Sequence, residues 1–404
     1  MCGIFDFLPH EKRRTEMVAC IVCDVLGEKN NGTTLAANNL IDYLRSQGHE
    51  VRVVCCDKDK SNRENYYVTP TLNLGKLCNK IVEMNGVTLA KADEDVIRKA
   101  IEGSDVVHLL IPFALSRMAI KIAKELNKPI TASFHCQAEN ITAHVFLMNV
   151  GFANTLVYKN FYKHVYKYCD IIHYPTSFIR DTFEKETHKT NSVVISNGVN
   201  AQFFKDIQPK RISDKYTIIC TGRYSKEKAQ HLLIKAVAES KYKDKIKVIF
   251  AGAGPYENKL KKLSEKLGVD ADFKFFSRDE LLPVLHGADL YVHTATIEIE
   301  AIACLEAIVS GLVPVINDSP RSATKAFALD GNNLFKLNSP ESLKEKIEFW
   351  YEHPELINEY KSRYKSIIGS FDQVECMKKM EEMLLSAIEK KKNEQQGNLL
   401  QGRA

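Results

Sequence analysis

Two carboxylates, Glu298 and Glu306, stand with seven residues between them in the stretch EIEAIACLEAIVSGLVP, residues 298–314. Apolar Leu290, Tyr291 and Val292 before them read as a short strand. Small and apolar Ala301 to Ile308 read as a helix stopped by Gly311, and Leu312 to Ile316 as the next strand. Strand, loop, helix, glycine and strand make one right-handed crossover of a parallel sheet, whose ligand crevice lies at the carboxyl ends of its strands. Glu298 then falls in the loop entering the helix and Glu306 between one and two turns inside it. The free amides of the helix start, near Ala301 and Ile302, lie between them. Carboxylates accept hydrogen bonds from sugar hydroxyls, whereas free helix-start amides attract phosphate; a nucleotide-sugar needs both. The bland alternative is a pair of glutamates on a solvated helix face. Against it, Glu306 lies in the apolar run ACLEAIV, where an idle carboxylate is costly to desolvate.

The rest of the chain must position this stretch. At 404 residues it is long enough for two domains, each with its own core. A net charge of +5, with acidic and basic residues interspersed, does not imply nucleic acid as a partner. Of eleven cysteines, Cys20 and Cys23 fall in an apolar run that reads as a buried strand, where residues three apart point to opposite faces. No second pair completes a zinc site, so reduced, buried thiols are expected. No apolar run reaches the length of a membrane span and the N-terminus has no signal-peptide core, which places the chemistry in the cytoplasm. The opening MCGIF is similar to the start of glutamine amidotransferases, but another domain's first strand begins at Met17. Residues 1–16 therefore read as an extension.

A first domain, 17–204, opens with strand VACIVCDV, loop LGEKNNG, helix TTLAANNLIDYLRSQG and strand HEVRVVCC. Asn31 and Gly32 sit in that first loop, a pair with turn chemistry. Strand PITASF ends at His135, which stands over the crevice and can donate to a sugar hydroxyl; Gln137, Glu139 and Asn140 follow as acceptor contacts. Lys159, Lys163 and Lys167 recur beside Tyr158, Tyr162 and Tyr166, so a helix there carries adjacent basic and aromatic stripes. Such a surface suits an anionic membrane, with tyrosines at headgroup depth, or else packs its rings on a core. The second domain, 205–372, opens with strand YTIIC and loop TGRYSKEK. There the Arg223 fork and the Lys228 point charge, beside a helix start, suit the two charges of a pyrophosphate. In IKVIFAGAGP, Gly252 and Gly254 let the backbone pass close to a ligand or turn sharply.

The Glu298 to Glu306 stretch resembles the Glu-(seven residues)-Glu signature of retaining glycosyltransferases of family 4, enzymes of the GT-B fold. The resemblance implies an α/β protein with two Rossmann-like parallel-sheet domains facing each other across a cleft. It puts the donor sugar on Glu298, the ribose on Glu306 and the donor diphosphate on Arg223 and Lys228. It also puts phosphates and acceptor near Asn31 and Gly32, the transferred sugar near His135, and the base around Phe276 to Arg278. SNGVN, 196–200, resembles the family's interdomain signature. MKKMEEMLLSAIEKK matches a final helix that crosses back, so that 373–404 becomes a return helix with a disordered tail. The chain departs from the pattern at Glu300 and Ala301, where Phe-Gly is common, at Ala229 and Ser277, where Gly is usual, and at Asn200 for Asp.

The implied activity is that of a retaining hexosyltransferase using a UDP-hexose, with no cofactor and no metal. Arg223, Lys228 and the helix-start amides stabilise the departing diphosphate, while Glu298 and His135 position the sugar. The favoured acceptor is a membrane lipid such as diacylglycerol, met at the inner face of the membrane. The other enzymatic readings are transfer to a cell-wall or capsular glycan precursor and sugar-nucleotide epimerisation. A non-catalytic nucleotide-sugar sensor is the reading from another class. A dehydrogenase is disfavoured because no full Gly-x-Gly-x-x-Gly follows the first strand.

Overall fold

The structure, a computed structural model, describes residues 16–24, 26, 27, 32–73, 75, 88–142, 150–205 and 207–401. Asn31 and most of the 1–16 extension lie outside the described residues. The first sheet holds β1 (Val18–Val22), β2 (Glu50–Cys55), β3 (Tyr66–Val68), β4 (Val106–Leu109), β5 (Ile130–Ser133), β6 (Ile171–Tyr174) and β7 (Ser192–Val194). The second holds β8 (Tyr216–Thr221), β9 (Ile246–Ala251), β10 (Ala271–Lys274), β11 (Leu290–His293), β12 (Pro314–Asp318) and β13 (Leu334–Lys336). All pairings are parallel, in the orders β3-β2-β1-β4-β5-β6-β7 and β10-β9-β8-β11-β12-β13. Each order reverses once, between β1 and β4 and between β8 and β11. These switch points open the crevice at the carboxyl ends of the strands. The loops after β8 and β11, which carry Arg223 and Glu298, therefore stand side by side.

The helices are α1 (Gly32–Ser46), α2 (Glu94–Ile101), α3 (Ala114–Glu125), α4 (Ala138–Thr142), α5 (Gly151–His164), α6 (Ser177–Glu186) and α7 (His231–Glu239). Then come α8 (Glu257–Leu267), α9 (Arg278–Gly287), α10 (Ile302–Val309), α11 (Pro340–Glu352), α12 (Ile357–Ile368) and α13 (Gln373–Gln401). Helices on both faces bury the central strands on both sides, which is why these strands read as unbroken apolar runs. Cys20 packs into the core on one side of the first sheet and Cys23 into the core on the other. The described cysteines form no disulfide among themselves.

Helix α13 packs on the first domain, where Met377, Met380, Leu384 and Ile388 share a core with Leu40, Ile41 and Leu44 of α1. Buried in that contact, His49 accepts from the Met17 N–H at its Nδ1 (3.2 Å), so Nε2 carries the hydrogen that it donates to Glu381 (2.9 Å). The helix runs on through Gln401, where the sequence reads as disordered. Its Glu, Lys and Gln residues are good helix formers, and the docked half supplies the nucleus.

Of the two readings of the tyrosine stripe, the structure takes the one in which the rings pack on a core. Tyr158, on α5, and Tyr166, in the short turn after it, are buried and pack against Phe134, because this stretch turns its tyrosine side to the sheet. Solvent instead meets Phe152 and Leu156, 74% and 51% exposed, with Lys159 and Lys163 further along. Among the described residues no helix is long and apolar enough to cross a membrane.

The two chain crossings between the domains pair with each other. The Val199 N–H donates to the Phe371 carbonyl at 2.7 Å and the Gln373 N–H to the Val199 carbonyl at 3.0 Å. Gly198, at φ 77°, is required here, since a Cβ would stand 2.5 Å from the Gln373 Cα. Asn200 caps the turn at Ala201–Phe204 through its oxygen, 3.0 Å from the Gln202 N–H, and offers its Nδ2 to Gln373 at 3.4 Å. An aspartate has no such second donor.

Candidate active site

The loop after β8 is set by backbone contacts. A Cβ at Gly252 would stand 2.0 Å from the Gly222 carbonyl oxygen, and one at Gly254 would stand 2.5 Å from that of Tyr224. Both glycines thus let the Arg223 loop lie flat on the loop after β9, with the Gly222 and Tyr224 N–H groups donating to Ala251 and Ala253, each at 3.0 Å. Gln230 Nε2 donates to the Arg223 carbonyl at 2.8 Å. Thr294 Oγ1 donates to the Lys228 carbonyl at 2.6 Å, and the Thr296 N–H and Oγ1 donate to Glu227 at 2.8 and 3.0 Å. Arg223 and Lys228 therefore project from a fixed turn, both half-buried.

Lys228 Nζ bonds the Glu298 carboxylate, whose side chain is 14% exposed. His293 Nε2 lies 3.3 Å from the same carboxylate, and Tyr291 and Thr221 continue the chain behind it at 3.2 and 2.9 Å. Burial alone lifts the Glu298 carboxyl, but the Lys228 ammonium and His293 outweigh it and hold it down at about 2. Glu298 is thus ionised. Helix α10 begins next to it at Ile302, after Ala301 in a left-handed conformation, φ 61°. Ala301 gives no side-chain cap and the first turn holds no acidic residue, so the amides of Ile302 and Ala303 keep their positive potential. The carboxyl of Glu306, inside α10, takes no hydrogen bond from the described residues, and burial pushes it up to about 7 against the pull of Arg278.

The second domain therefore brings Lys228 onto Glu298 beside the start of α10 at Ala301 and Ile302, with Glu306 inside that helix and Arg278 acting on it, while Arg223 stands in the loop that carries Lys228. Arg278 opens α9, whose Ser277 and Glu280 form a capping box. That box needs a serine where the resemblance has glycine. The other unusual alanine, Ala229, is also left-handed, at φ 51°, which gives glycine a physical reason at both positions.

Across the crevice, His135 is half-buried with its ring edge to His173, 6.0 Å between centroids. Desolvation, with His173 and His108 adding to it, holds its pKa well below the ordinary value. A neutral imidazole can donate at one nitrogen and accept at the other, which suits a hydroxyl. Beneath it runs a buried polar chain. His173 Nε2 donates to the Ile195 carbonyl at 2.6 Å, so its Nδ1 accepts from Ser133 at 2.8 Å; Ser133 in turn accepts from His108 Nε2 at 3.0 Å. Gln137 Nε2 donates to the Arg321 carbonyl at 3.3 Å and Thr176 Oγ1 to the Ile299 carbonyl at 2.8 Å, so both reach across from the first domain. Gly32 starts α1, exposed and with open space around it, and no contact among the described residues brings it to the helix start of α10. Sequence reasoning missed His293, Thr176 and Glu300. His293 ends a strand as the His135 stretch does, and that signal pointed to it equally well.

The description "Glycosyltransferase Family 4" matches residues 30–203 and "Glycosyl transferases group 1" residues 202–366. The alpha-monoglucosyldiacylglycerol synthase of Streptococcus pneumoniae is 25% identical over 312 residues, 72% of this chain and 68% of that protein. Among solved structures, Anabaena Alr3699/HepE in complex with UDP-glucose superposes at a TM-score of 0.69 and 17% identity, over 92% of this chain and all (100%) of that one. A stretch of 38% of this chain is 46% identical to the catalytic domain of cholesterol-alpha-glucosyltransferase from Helicobacter pylori, covering 97% of that domain, at a TM-score of 0.35, too low to speak for the fold. With the two family descriptions meeting at the crossing between its two parallel-sheet domains, the chain belongs to the glycosyltransferases of the family 4 type, built on the GT-B fold.

Proposed function

We propose that the chain moves a hexose from a UDP-sugar to a hydroxyl of a membrane lipid, with retention at the anomeric carbon and without a metal. The observation that carries this reading is the uncapped start of α10 between an ionised Glu298 and an unpartnered Glu306. It offers phosphate-seeking amides flanked by two hydroxyl acceptors. Arg223, Lys228 and the α10 amides supply fixed positive potential where charge grows on the departing diphosphate. The acceptor oxygen bonds to C1 on the face that the diphosphate leaves, the C1–O bond to phosphate breaks, and the hydroxyl proton passes to the departing phosphate oxygen. Glu306 takes the ribose hydroxyls, Glu298 and His135 hold the sugar, and Arg278 stands beside the nucleoside end.

Two observations support a lipid acceptor. The relative from Streptococcus pneumoniae is named for a glucosylated diacylglycerol. On the first domain, Phe152, Leu156, Lys159 and Lys163 recur at helical spacing along one exposed stripe of α5, with Arg117 and Lys167 acting on His164 beside it. Apolar side chains at one end and cations at the other suit the boundary of an anionic bilayer.

The test is UDP release from a panel of UDP-sugars, with and without anionic vesicles containing diacylglycerol or another hydroxyl-bearing lipid. It is repeated in excess chelator and with Glu306→Ala. Vesicle-dependent, chelator-resistant release that Glu306→Ala reduces by about a hundredfold or more is expected. Nucleotide binding with no response to vesicles removes the lipid acceptor, release without any acceptor favours hydrolysis or epimerisation, and absence of UDP binding removes the donor site.

A further inference from the structure

Glu300 stands where the chain departs from the family pattern, two residues after Glu298. It is 4% exposed, and no cation pairs with it among the described residues. Its donors come from the stretch where the chain leaves the first domain. Ser196 Oγ bonds it, the Asn197 N–H lies 3.1 Å from each carboxylate oxygen, and Asn197 Nδ2 lies at 2.6 Å. A buried carboxylate that spends all its acceptors on one short segment fixes that segment against its own loop.

Both ends of this clasp are anchored. Behind Ser196, the buried histidine chain ends on the Ile195 carbonyl. Beyond Asn197, Gly198 and Val199 lie against Phe371 and Gln373, where the chain crosses back. On the donor side the residue after Glu300 is the left-handed Ala301, a conformation that an L-residue keeps only when its flanks hold it. The first turn of α10 holds one flank, with the Cys304 and Leu305 N–H groups donating to the Ala301 carbonyl at 2.9 and 3.3 Å. Glu300 holds the other. Thr176, bonded to the Ile299 carbonyl, adds a second tie from the first domain.

We propose that Glu300 is a positioning residue that fastens the Glu298 loop and the start of α10 to the interdomain hinge, so that the donor-sugar carboxylate and the phosphate-facing amides are in register only while the hinge holds Ser196 and Asn197 in this arrangement. The inference rests on the donor-site reading above. It makes donor-site order and domain arrangement one equilibrium: nucleotide that orders α10 also orders the hinge, and hinge rotation loosens the donor loop.

The test follows amide exchange in the full chain, in the peptides covering 192–199 and 299–304, with and without saturating UDP, for wild type, Glu300→Ala, Glu300→Gln and Asn197→Ala. In wild type UDP is expected to slow exchange in both segments. In Glu300→Ala, exchange at 192–199 without nucleotide rises about tenfold, and its response to UDP disappears while the 299–304 segment still responds. With UDP-glucose and acceptor, kcat falls about tenfold while KM moves less than about threefold, the split expected when an oriented state rather than binding is lost. Glu300→Gln, which keeps an oxygen acceptor for Ser196 and the Asn197 N–H, recovers most of the rate. If Glu300→Ala does not fold, Asn197→Ala breaks the clasp from the hinge side and must show the same lost response. Unchanged exchange at 192–199, a persisting UDP response there, or Glu300→Gln no better than Glu300→Ala overturns the inference. Should wild type fail to bind UDP, the donor-site reading fails by itself. The nucleotide-free exchange of Glu300→Ala then still decides whether the clasp exists.

Discussion

The two sides of the crevice are built from different physics. On the second-domain side Lys228 is bonded to Glu298, Arg278 faces Glu306, and the open amides of α10 stand between the two glutamates. On the first-domain side the imidazoles of His135, His108 and His173 are desolvated and held neutral, and burial pushes the Asp24 carboxyl up to about 7. Farther out, α5 exposes Phe152 and Leu156. On the function proposed above, the charged, pinned side suits a ligand of fixed charge such as a diphosphate, and the imidazoles beside an apolar stripe suit an acceptor whose only constant feature is a hydroxyl. Strain follows the same division, since both left-handed alanines, Ala229 and Ala301, lie on the charged side.

The largest effect that sharpens this contrast is a pH dependence set by Glu306 on the charged side. Burial pushes the Glu306 carboxyl up to about 7, and on the proposed function the ribose hydroxyls donate to it, which favours the ionised form. Binding therefore lowers its pKa. Affinity is full above pH 7 and falls as pH drops below it, towards a limit of about tenfold per pH unit. Glu298, at about 2, stays ionised throughout and adds no slope. Calorimetric titration with UDP-glucose from pH 8 to 5.5 measures this; its phosphates do not titrate in that range. Glu306→Gln should flatten the curve. Any slope that remains has two buried carboxyls near 7 as its source, Glu300 and Asp24, and the difference between the two curves isolates Glu306.

A smaller effect tests the first-domain side. Replacing Leu156 by Ser should weaken binding to anionic vesicles about tenfold, the amount expected from one apolar side chain kept out of the bilayer boundary. UDP-glucose affinity should not change. Sedimentation with vesicles gives the first value and calorimetry the second. Equal vesicle binding by the variant would mean that the stripe is not the surface that meets lipid, and the contrast between the two sides would lose its acceptor half.

What the sequence made legible follows the same line. Strand ends and charge types pointed to Glu298, Glu306, Arg223, Lys228 and His135 as candidates, because parallel α/β sheets put their chemistry in one place, and of these the structure joins Lys228 to Glu298. The clasp of Glu300 on Asn197 was not legible, since the partners are 103 residues apart and neither sits in a spacing pattern. The α5 stripes were visible but not their orientation. Periodicity shows that Tyr158 and Tyr162 lie beside Lys159 and Lys163, not which stripe Phe134 and Phe183 will cover. Disorder read from composition at the C-terminus failed for a related reason, because a helix nucleated by Met377 to Ile388 carries polar residues along with it.

The smallest effect tests whether the strain on the charged side is real. An L-residue in the left-handed region lies about 1–2 kcal/mol above its right-handed form, and glycine avoids this at the expense of a more flexible unfolded chain. Ala301→Gly should therefore raise unfolding stability by about 1 kcal/mol or slightly less. Ala229→Gly should do the same, and the two should add only if the Lys228–Glu298 bond that joins their loops does not couple them. The activities are expected to move in opposite directions from stability, because an alanine at 301 narrows the loop's choices to the conformation that Glu300 and α10 already hold. Urea unfolding gives the stabilities and initial rates of UDP release give the activities. A more stable Ala301→Gly with a lower kcat would identify the alanine as a restraint on the donor loop. A variant that gains both, or neither, would make it a neutral replacement and leave Glu300 as what holds the loop.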